Sequence, residues 1–366
     1  MTGIYIHIPF CKRKCPYCDF YSVAVSAETV ESYVKALCRN IHAFKGQGIE
    51  ADTVYFGGGT PSVMTAEQVE RIMSALDESV QLCDTEVTLE ANPCTVDRKK
   101  LADYKSAGIT RLSFGVQSAQ DGELEFLGRL HDFEQALEAV QNAHDVGFKR
   151  LSCDIMLGLK GQTAKSLSDS IDKLTALPID HISAYMLKIE EGTLFDCDEV
   201  RNSIADEDTL CDMYLQTVKQ LDDKGFAQYE ISNFAKEGGQ SRHNLKYWQG
   251  EEYIGLGASA HSYYKGERYF CPADIKGYIV APLQEKVLLE DHPDKAEEYV
   301  MLGLRLAKGI SVKRAAELGG EMLGKNISKK AALFAKLGLC QFDGDIVRLT
   351  PAGFLASNAI IGEMLW

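Results

Sequence analysis

Alternation of strand-like and helix-like segments over the first two-thirds of the chain is the feature that most restricts its fold. Short runs of β-branched, aromatic and aliphatic residues precede longer amphipathic runs, two of which end at Gly108 and Gly147. Repeated strand-then-helix units predict a parallel sheet covered by helices. Six units predict an α/β fold, an open partial (β/α)6 TIM-like barrel rather than a closed eightfold one. The predicted strands cover residues 3–8, 52–56, 85–90, 111–117, 151–156 and 181–187, and the predicted helices cover residues 27–45, 65–80, 95–107, 132–146 and 163–177.

Side chains alternate between apolar and polar along most of these strands. Successive side chains of a strand point to opposite faces, so Ile4, Ile6 and Ile8 share one face while Tyr5 and His7 share the other. Parallel strands covered on both faces are usually almost continuously apolar. A polar inner face therefore predicts a ligand inside the barrel. The alternative, a sheet with one face in water, agrees less well with the regular recurrence of helices.

Beyond residue 190 the pattern becomes looser, and we expect three parts: a barrel core over 1–190, an extension over 191–285 and a smaller C-terminal α+β domain over 286–366. The extension has a predicted helix over 206–224 and a strand-like stretch over 254–261. In the last part, three helical segments precede a hairpin with the turn pair Asp343-Gly344. This order resembles a winged-helix module. The helical segments cover residues 296–307, 311–318 and 328–337, and the hairpin covers residues 340–349.

Composition and charge argue against several classes of protein. The 366 residues carry a net charge of −14, which disfavours binding to nucleic acid through phosphate neutralisation. No apolar run approaches the ~20 residues that a membrane-spanning helix needs, so no integral membrane segment is expected. The start of the chain, Met1 to Tyr5, has neither a charged lead nor a long apolar stretch, which predicts no signal peptide.

Three of the eleven cysteines, Cys11, Cys15 and Cys18, lie within eight residues directly after the first strand and beside the basic run Lys12 to Lys14. The other eight are scattered singly and read as ordinary thiols. Zinc usually takes four ligands from two separated pairs, and no second pair lies nearby. An iron–sulfur cubane held by three cysteines leaves one iron open to a small chelating molecule. The adjacent positive charges favour thiolates and an anionic cluster.

The Cys-x-x-x-Cys-x-x-Cys spacing, followed by Gly57-Gly58-Gly59-Thr60-Pro61 after the second strand, resembles the radical S-adenosylmethionine (SAM) superfamily. Without the cysteines, the glycine run would read as an ordinary strand-to-helix turn. The resemblance implies a barrel of the radical SAM type and a [4Fe–4S] cluster on Cys11, Cys15 and Cys18. It also implies that the open iron chelates SAM, which the reduced cluster can cleave to a 5′-deoxyadenosyl radical.

Further segments are similar to the oxygen-independent coproporphyrinogen III oxidase branch of that superfamily: Tyr5 to Cys11, Leu89 to Pro93, Phe114 to Ser118, Gly128-Arg129 and Asp154 to Leu159. Four of the implied SAM contacts also lie on the polar strand faces, where barrel sites are found. For Arg129 alone, a structural ion pair is a serious alternative. The SAM contacts that the resemblance implies are Tyr5, Tyr17, Gly58, Gly59, Thr60, Glu90, Gln117, Arg129 and Asp154.

Three departures separate the chain from the oxidases and make it similar to the HemW-type haem chaperones. Phe20 stands where the oxidases carry a further Cys, the oxidases' N-terminal extension is missing, and Arg242 to Trp248 contains the His-Asn-x-x-Tyr-Trp motif. The resemblance implies a cytoplasmic protein that binds cluster, SAM and haem and delivers haem to haem-accepting proteins. His243 is the candidate haem ligand, although such a histidine is more often packed and hydrogen-bonded.

The alternatives left open are a radical SAM enzyme, either the porphyrinogen oxidase itself or a related methyltransferase or haem-modifying enzyme, and a DNA-binding regulator. The charge disfavours the regulator. An electron donor is an expected partner if SAM is cleaved, and peripheral contact with a membrane is left open.

Overall fold

The six predicted strands are all present and lie side by side in chain order. In the computed structural model, which describes residues 1–283 and 286–366, each of them pairs in parallel with the next. These strands are β1 (Thr2–Ile8), β2 (Glu50–Gly58), β3 (Gln81–Ala91), β4 (Arg111–Gln117), β5 (Arg150–Leu157) and β6 (His181–Met186). Their parallel order confirms the predicted α/β barrel.

Six short strands extend this sheet on both sides, in the order β12-β11-β10-β9-β1-β2-β3-β4-β5-β6-β8-β7. They are β7 (Ala227–Gln228), β8 (Asn233–Ala235), β9 (Tyr253–Leu256), β10 (His261–Tyr264), β11 (Glu267–Phe270) and β12 (Val287–Asp291). The predicted strand over 254–261 is wrong: it is two strands, β9 and β10, because the chain turns at Gly257 and Ser259, both with positive φ. Within the described ranges the edge strands β12 and β7 do not pair with each other, so the barrel is open.

Helices follow the strands as predicted, and the cap residues explain their limits. Thr65, Asp132 and Thr163 cap the helices that follow them with their side-chain oxygens, and Gly108 and Gly147 adopt positive φ just beyond the ends of two helices. The predicted helix over 95–107 starts only at Arg98, because Pro93–Thr95 forms a 3₁₀ turn. The helices are α1 (Ala27–His42), α2 (Ala66–Ser79), α3 (Arg98–Ser106), α4 (Asp121–Phe126), α5 (Phe133–Asp145), α6 (Ala164–Thr175), α7 (Asp198–Arg201), α8 (Glu207–Asp223), α9 (Arg242–Trp248), α10 (Ile275–Val280), α11 (Lys295–Gly303), α12 (Val312–Gly319), α13 (Glu321–Lys336), α14 (Pro351–Leu355) and α15 (Ser357–Leu365).

The apolar face of the sheet packs against these helices, as the alternation predicts. Ile4, Ile6 and Ile8 are at most 1% exposed and belong to the main hydrophobic core. Burial of each such side chain contributes about 1.5–3 kcal/mol. The opposite face carries tyrosines, histidines and carboxylates, so the barrel interior is polar.

A second, smaller core joins α11–α15 to a three-stranded sheet of β13 (Ile310–Ser311), β15 (Ile346–Leu349) and β14 (Cys340–Phe342). The hairpin turn at Asp343-Gly344 is present, and α13 begins seven residues earlier than predicted. The predicted limit between 285 and 286 adjoins residues outside the described ranges, and the division into three domains stays a prediction. No helix among the described residues is both long and apolar enough to cross a bilayer.

Candidate functional site

The three clustered cysteines lie on a loop that leaves β1 and is closed at its base. Phe10 forms a β-bridge with Val23, and the Cys11 N–H donates to the Val23 carbonyl at 3.1 Å. The Cys18 N–H donates to the Cys15 carbonyl, also at 3.1 Å. All three cysteines are partly exposed, so the loop presents its thiols at the carboxyl end of the barrel.

The basic run between the cysteines fastens this loop to its surroundings. The Lys12 ammonium group donates to the Cys94 carbonyl at 3.0 Å, Arg13 donates to the Gly128 carbonyl, and Lys14 donates to the Phe20 carbonyl at 3.1 Å. Two of these bonds hold the loop to other parts of the chain, and the third, from Lys14 to Phe20, lies within the loop. Their positive charge also lies beside the thiols, where it favours thiolates.

Thr60, two residues beyond β2, and Arg129, between α4 and α5, reach the thiols from other parts of the chain. Thr60 Oγ1 is 3.4 Å from Cys11 Sγ, and Arg129 Nη1 is 3.7 Å from Cys15 Sγ. Burial raises the pKa of Cys18, and the neighbouring Cys11 and Cys15 raise it further, which agrees with three thiols held close together. The structure thus brings five of the predicted site residues into one place.

The donor set fits a cluster better than a single ion. Nowhere in residues 1–283 and 286–366 do three His, Cys, Asp or Glu side chains converge as ligands of one metal ion. In a cubane each thiolate binds a different iron, so three cysteines on one loop need not converge on one point. A structural zinc site would need four convergent ligands.

Next to the cysteine loop, the chain packs so closely around Gly58 and Gly59 that neither position has room for a side chain. Gly58 has φ +111°, and a Cβ there would lie 2.5 Å from the His7 ring. A Cβ on Gly59 would lie 2.7 Å from the Phe10 carbonyl oxygen, while its N–H donates to the Ile8 carbonyl at 2.9 Å. Side chains are therefore excluded at both positions by the packing of His7 and Phe10, so this part of the loop wall is bare backbone.

Two carboxyl groups, Glu90 and Asp154, lie inside the barrel below this loop. Glu90 accepts a 2.8 Å hydrogen bond from Tyr55, and Asp154 accepts one of 3.3 Å from Ser113. Burial raises the pKa of Glu90 to about 7, and burial also raises the pKa of Asp154. The charge of Asp154 raises the pKa of Glu90 further, so a positively charged or hydroxyl-bearing ligand would stabilise the ionised form of Glu90.

Arg129 and Gln117 meet above Gly115. Arg129 Nη2 donates to the Gly115 carbonyl at 2.6 Å, and a Cβ on Gly115 would lie 2.9 Å from Gln117 Nε2 and 3.2 Å from Arg129 Nη2. Arg129 Nε is buried and has no hydrogen-bond partner among the described residues. Gln117 itself has φ +74°. A strained residue and an unused guanidinium nitrogen are typical of a binding site.

Tyr5 and Tyr17 complete the predicted set, and two of their neighbours were not predicted. The Tyr5 hydroxyl is 3.0 Å from His7 Nδ1, and the Tyr5 ring stacks on Tyr55 with centroids 6.3 Å apart. Burial raises the pKa of Tyr17, whose ring lies 6.1 Å from that of Phe195. His7 and Tyr55 follow the same polar alternation as Tyr5, and that alternation could have identified them.

His243 lies apart from the cysteine loop, at the amino ends of the strands. It is fully buried in α9, with Nδ1 2.8 Å from Thr53 Oγ1 and Nε2 2.8 Å from the Tyr247 hydroxyl. Burial lowers the pKa of His243 to about 3. Both ring nitrogens are hydrogen-bonded, so either of them would have to lose its partner before His243 could bind iron. The geometry places it in the floor of the barrel and does not favour the predicted role as haem ligand.

The partial barrel and the three-cysteine loop together define a radical SAM protein. The family model for the radical SAM superfamily matches residues 5–174, and the model for the HemN C-terminal domain matches residues 291–356. The fold is similar to that of *Escherichia coli* coproporphyrinogen III oxidase, with a TM-score of 0.82 and 21% identity over 100% of this chain and 90% of that one.

Sequence comparison then identifies the family within that class. The chain is 36% identical to "Heme chaperone HemW" of *Bacillus subtilis*, covering 100% of this chain and 99% of the relative. It is 38% identical to the protein of the same name from *Escherichia coli*, covering 71% of this chain and 69% of the relative. The chain therefore belongs to the HemW family of radical SAM proteins.

Proposed function

We propose that this protein is a haem chaperone, which binds a [4Fe–4S] cluster and SAM at the carboxyl end of its barrel and transfers haem to haem-dependent proteins. The observation that carries this proposal is the full-length similarity to a relative named a heme chaperone. Haem and haem-accepting proteins are the proposed partners, with an electron donor if SAM is cleaved. The cytoplasmic location and peripheral contact with a membrane stay predictions.

In this proposal Cys11, Cys15 and Cys18 hold the cluster, whose open iron supplies a binding position for the amino and carboxylate groups of SAM. The bare backbone at Gly58 and Gly59 lies beside the methionine part. Arg129 offers its unpartnered Nε to a carboxylate. Glu90 and Asp154 accept hydrogen bonds from ammonium or ribose hydroxyl groups. Tyr5, Tyr17, Thr60 and Gln117 line the same end of the barrel.

Anaerobic reconstitution tests the chaperone against the enzyme. The reconstituted full-length protein should bind haem and pass it to a haem-free acceptor protein, without decarboxylating coproporphyrinogen III. Stoichiometric decarboxylation with formation of 5′-deoxyadenosine would overturn the chaperone proposal in favour of the oxidase. The Cys15→Ser variant should show whether haem binding depends on the cluster. This substitution removes one cluster ligand and leaves the rest of the fold unchanged.

A further inference from the structure

One histidine differs from the other seven in the partners of its ring nitrogens. Four histidines are buried with at least one ring nitrogen in a hydrogen bond, and three are exposed and lie 3.5 to 3.8 Å from a carboxylate oxygen. His261 is exposed, yet within the described part of the chain its ring has neither a hydrogen bond nor an ion pair. The buried four are His7, His131, His181 and His243, and the paired three are His42, His144 and His292.

Phe270 holds the ring of His261 in place from one side. The two residues are directly opposite each other in β10 and β11, and their rings stack with centroids 5.3 Å apart and planes at 17°. Stacking covers a face of the imidazole and leaves its edge, which carries the two nitrogens, open. Partial burial of the ring lowers the pKa of His261, so the ring is largely neutral at pH 7 and one nitrogen has a free electron pair.

The turn between β9 and β10 fixes His261 at the carboxyl end of the barrel. β9 runs parallel to β1 and the chain then turns back, so β10 begins at the end where β1 stops. The Ala258 N–H donates to the buried Tyr33 hydroxyl at 2.9 Å, and that hydroxyl donates to the His7 carbonyl at 2.9 Å. A buried tyrosine therefore ties the turn directly to the strand that leads into the cysteine loop.

His261 is a neighbour of the proposed SAM site. Burial lowers the pKa of His7, and the nearness of His261 lowers it further. The His7 ring in turn packs against Gly58, where a Cβ would lie 2.5 Å from it. Three strand spacings separate β10 from β2, which amounts to roughly 14 Å along the sheet. A ligand on His261 would therefore stand beside SAM and leave its place free.

The surface next to His261 suits a flat apolar ligand that carries its own metal. Phe270 is partly exposed, and Val287, which is opposite Phe270 in β12, is 41% exposed and continues the same face. A bare metal ion would find too few ligands, since no three metal-ligating side chains converge anywhere in the described ranges. Iron in a macrocycle needs only one ligand from the protein.

We propose that His261 is the haem ligand of this chaperone, with one ring nitrogen on the iron and the porphyrin lying over Phe270 and Val287. This proposal rests on the proposed haem-chaperone function. On binding, an iron–nitrogen bond replaces a bond from iron to water. The imidazole is neutral, so no proton is released, and the iron keeps its oxidation state. Histidine is an established type of haem ligand.

The stacked pair of rings agrees with this mode of binding. A porphyrin lies across the bond from iron to its histidine ligand, so it meets the imidazole at its edge. Because the Phe270 ring is nearly parallel to the imidazole, the porphyrin also meets Phe270 at its edge. Edge-to-face contact is a preferred arrangement of aromatic rings. Phe270 thus orients the ligand and packs against the porphyrin.

A single exposed ligand suits a carrier. The second axial position of the iron faces solvent, where a side chain of an acceptor protein can bind it. His243 has both ring nitrogens hydrogen-bonded, whereas His261 has no hydrogen-bonded ring nitrogen within residues 1–283 and 286–366. Haem can therefore bind to His261 and leave it without any rearrangement of the barrel.

Titration of the full-length protein with haem tests this proposal. The reduced wild-type complex should show an iron–histidine stretching band in its resonance Raman spectrum. His261→Gln should lose that band and bind haem about tenfold or more weakly, because even the neighbours of metal ligands have effects of this order. His292→Gln is the matched control, since His292 is an exposed histidine directly after β12 of the same sheet extension. Its titration should equal that of the wild type.

A second variant gives a result that a change in folding cannot imitate. His261→Cys should replace the histidine spectrum by that of a thiolate-ligated haem. If wild-type protein binds no haem, the proposed chaperone function fails. If wild-type protein binds haem and His261→Gln keeps its affinity and band, the assignment of His261 is overturned while the chaperone function stands. A histidine spectrum in His261→Cys, or loss of the band in His243→Gln but not in His261→Gln, would also overturn the assignment.

Discussion

The two ends of the barrel are built from the same strands but satisfy their polar groups in different ways. At the carboxyl ends, three thiols are partly exposed, and Arg129 Nε has no hydrogen-bond partner within residues 1–283 and 286–366, beside an open cavity of about 770 Å³. At the amino ends, α9 is tied down: both nitrogens of His243 are hydrogen-bonded, and Lys246 forms 2.8 Å ion pairs with Asp52 and Glu251. Groups at the carboxyl ends are suited to bind ligands, whereas those of α9 stabilise the fold.

The largest expected effect is loss of the iron–sulfur cluster without a change in the fold. Cys15→Ser should abolish the brown absorption of the cluster and reduce the iron content per chain to near zero after anaerobic reconstitution, because a serine oxygen is a poor ligand for this cluster. The far-UV circular dichroism should not change, since Cys15 is partly exposed and outside the core.

Cys38→Ser is the matched control for that measurement. Cys38 is partly exposed in α1 and its thiol lies 3.7 Å from the Arg71 carbonyl, far along the chain from the loop. It should keep the iron content of the wild type. If Cys15→Ser keeps its iron as well, the cluster ligands are assigned incorrectly.

The next effect is on stability, at the other end of the barrel. His243→Ala should lower the free energy of unfolding by about 3 kcal/mol, because it leaves a cavity and two buried hydroxyl groups without their partner. Urea unfolding measures this change. His42→Ala, at a half-exposed histidine of α1, should stay within about 0.5 kcal/mol of the wild type. Equal effects of the two variants would contradict a structural role of His243.

The dependence of stability on pH should have opposite signs at the two ends. Glu90 has a folded-state pKa of about 7, raised by burial from 4.5, so the folded chain holds the extra proton between these values. Its contribution to stability therefore falls as the pH rises from 4.5 to 7. His243 has a folded-state pKa of about 3, lowered from 6.5, so its contribution falls as the pH decreases from 6.5 to 3.

Glu90→Gln should separate these contributions in the protein without SAM. Its unfolding free energy should decrease less between pH 5 and pH 8 than that of the wild type, by an amount on the order of 1 kcal/mol or more. Burial also raises the pKa of Glu230 to about 7, so the variant should still lose some stability as the pH rises through this range. Urea unfolding across this pH range measures the slopes, and parallel curves for the two proteins would show that Glu90 is ionised throughout.

Local sequence patterns identify the candidate site residues at the carboxyl end of the barrel, because most of these residues are close together in the sequence. The three cysteines share one loop, the glycine run is contiguous, and the alternation of apolar and polar residues identifies the inner face on which Tyr5 and Glu90 lie. The turn at Gly257 and Ser259 was missed, because a strand-like composition continues through it. The position of His243 could not be predicted from the sequence either, because its partners Thr53 and Tyr247 come together only when α9 packs against the barrel.

The smallest expected effect concerns Phe20, the position at which the sequence resemblance to the oxidases implies a further cysteine. Phe20 is 69% exposed, and its contact with Lys14 is made by its carbonyl group. Phe20→Ser should therefore change the free energy of unfolding by less than about 0.5 kcal/mol and keep the iron content of the wild type. Phe20→Cys should likewise leave the iron content unchanged, because an exposed thiol on the outer part of the loop adds no convergent ligand. A gain of porphyrinogen decarboxylation in Phe20→Cys would show instead that one side chain at the open end of the barrel separates the carrier from the enzyme.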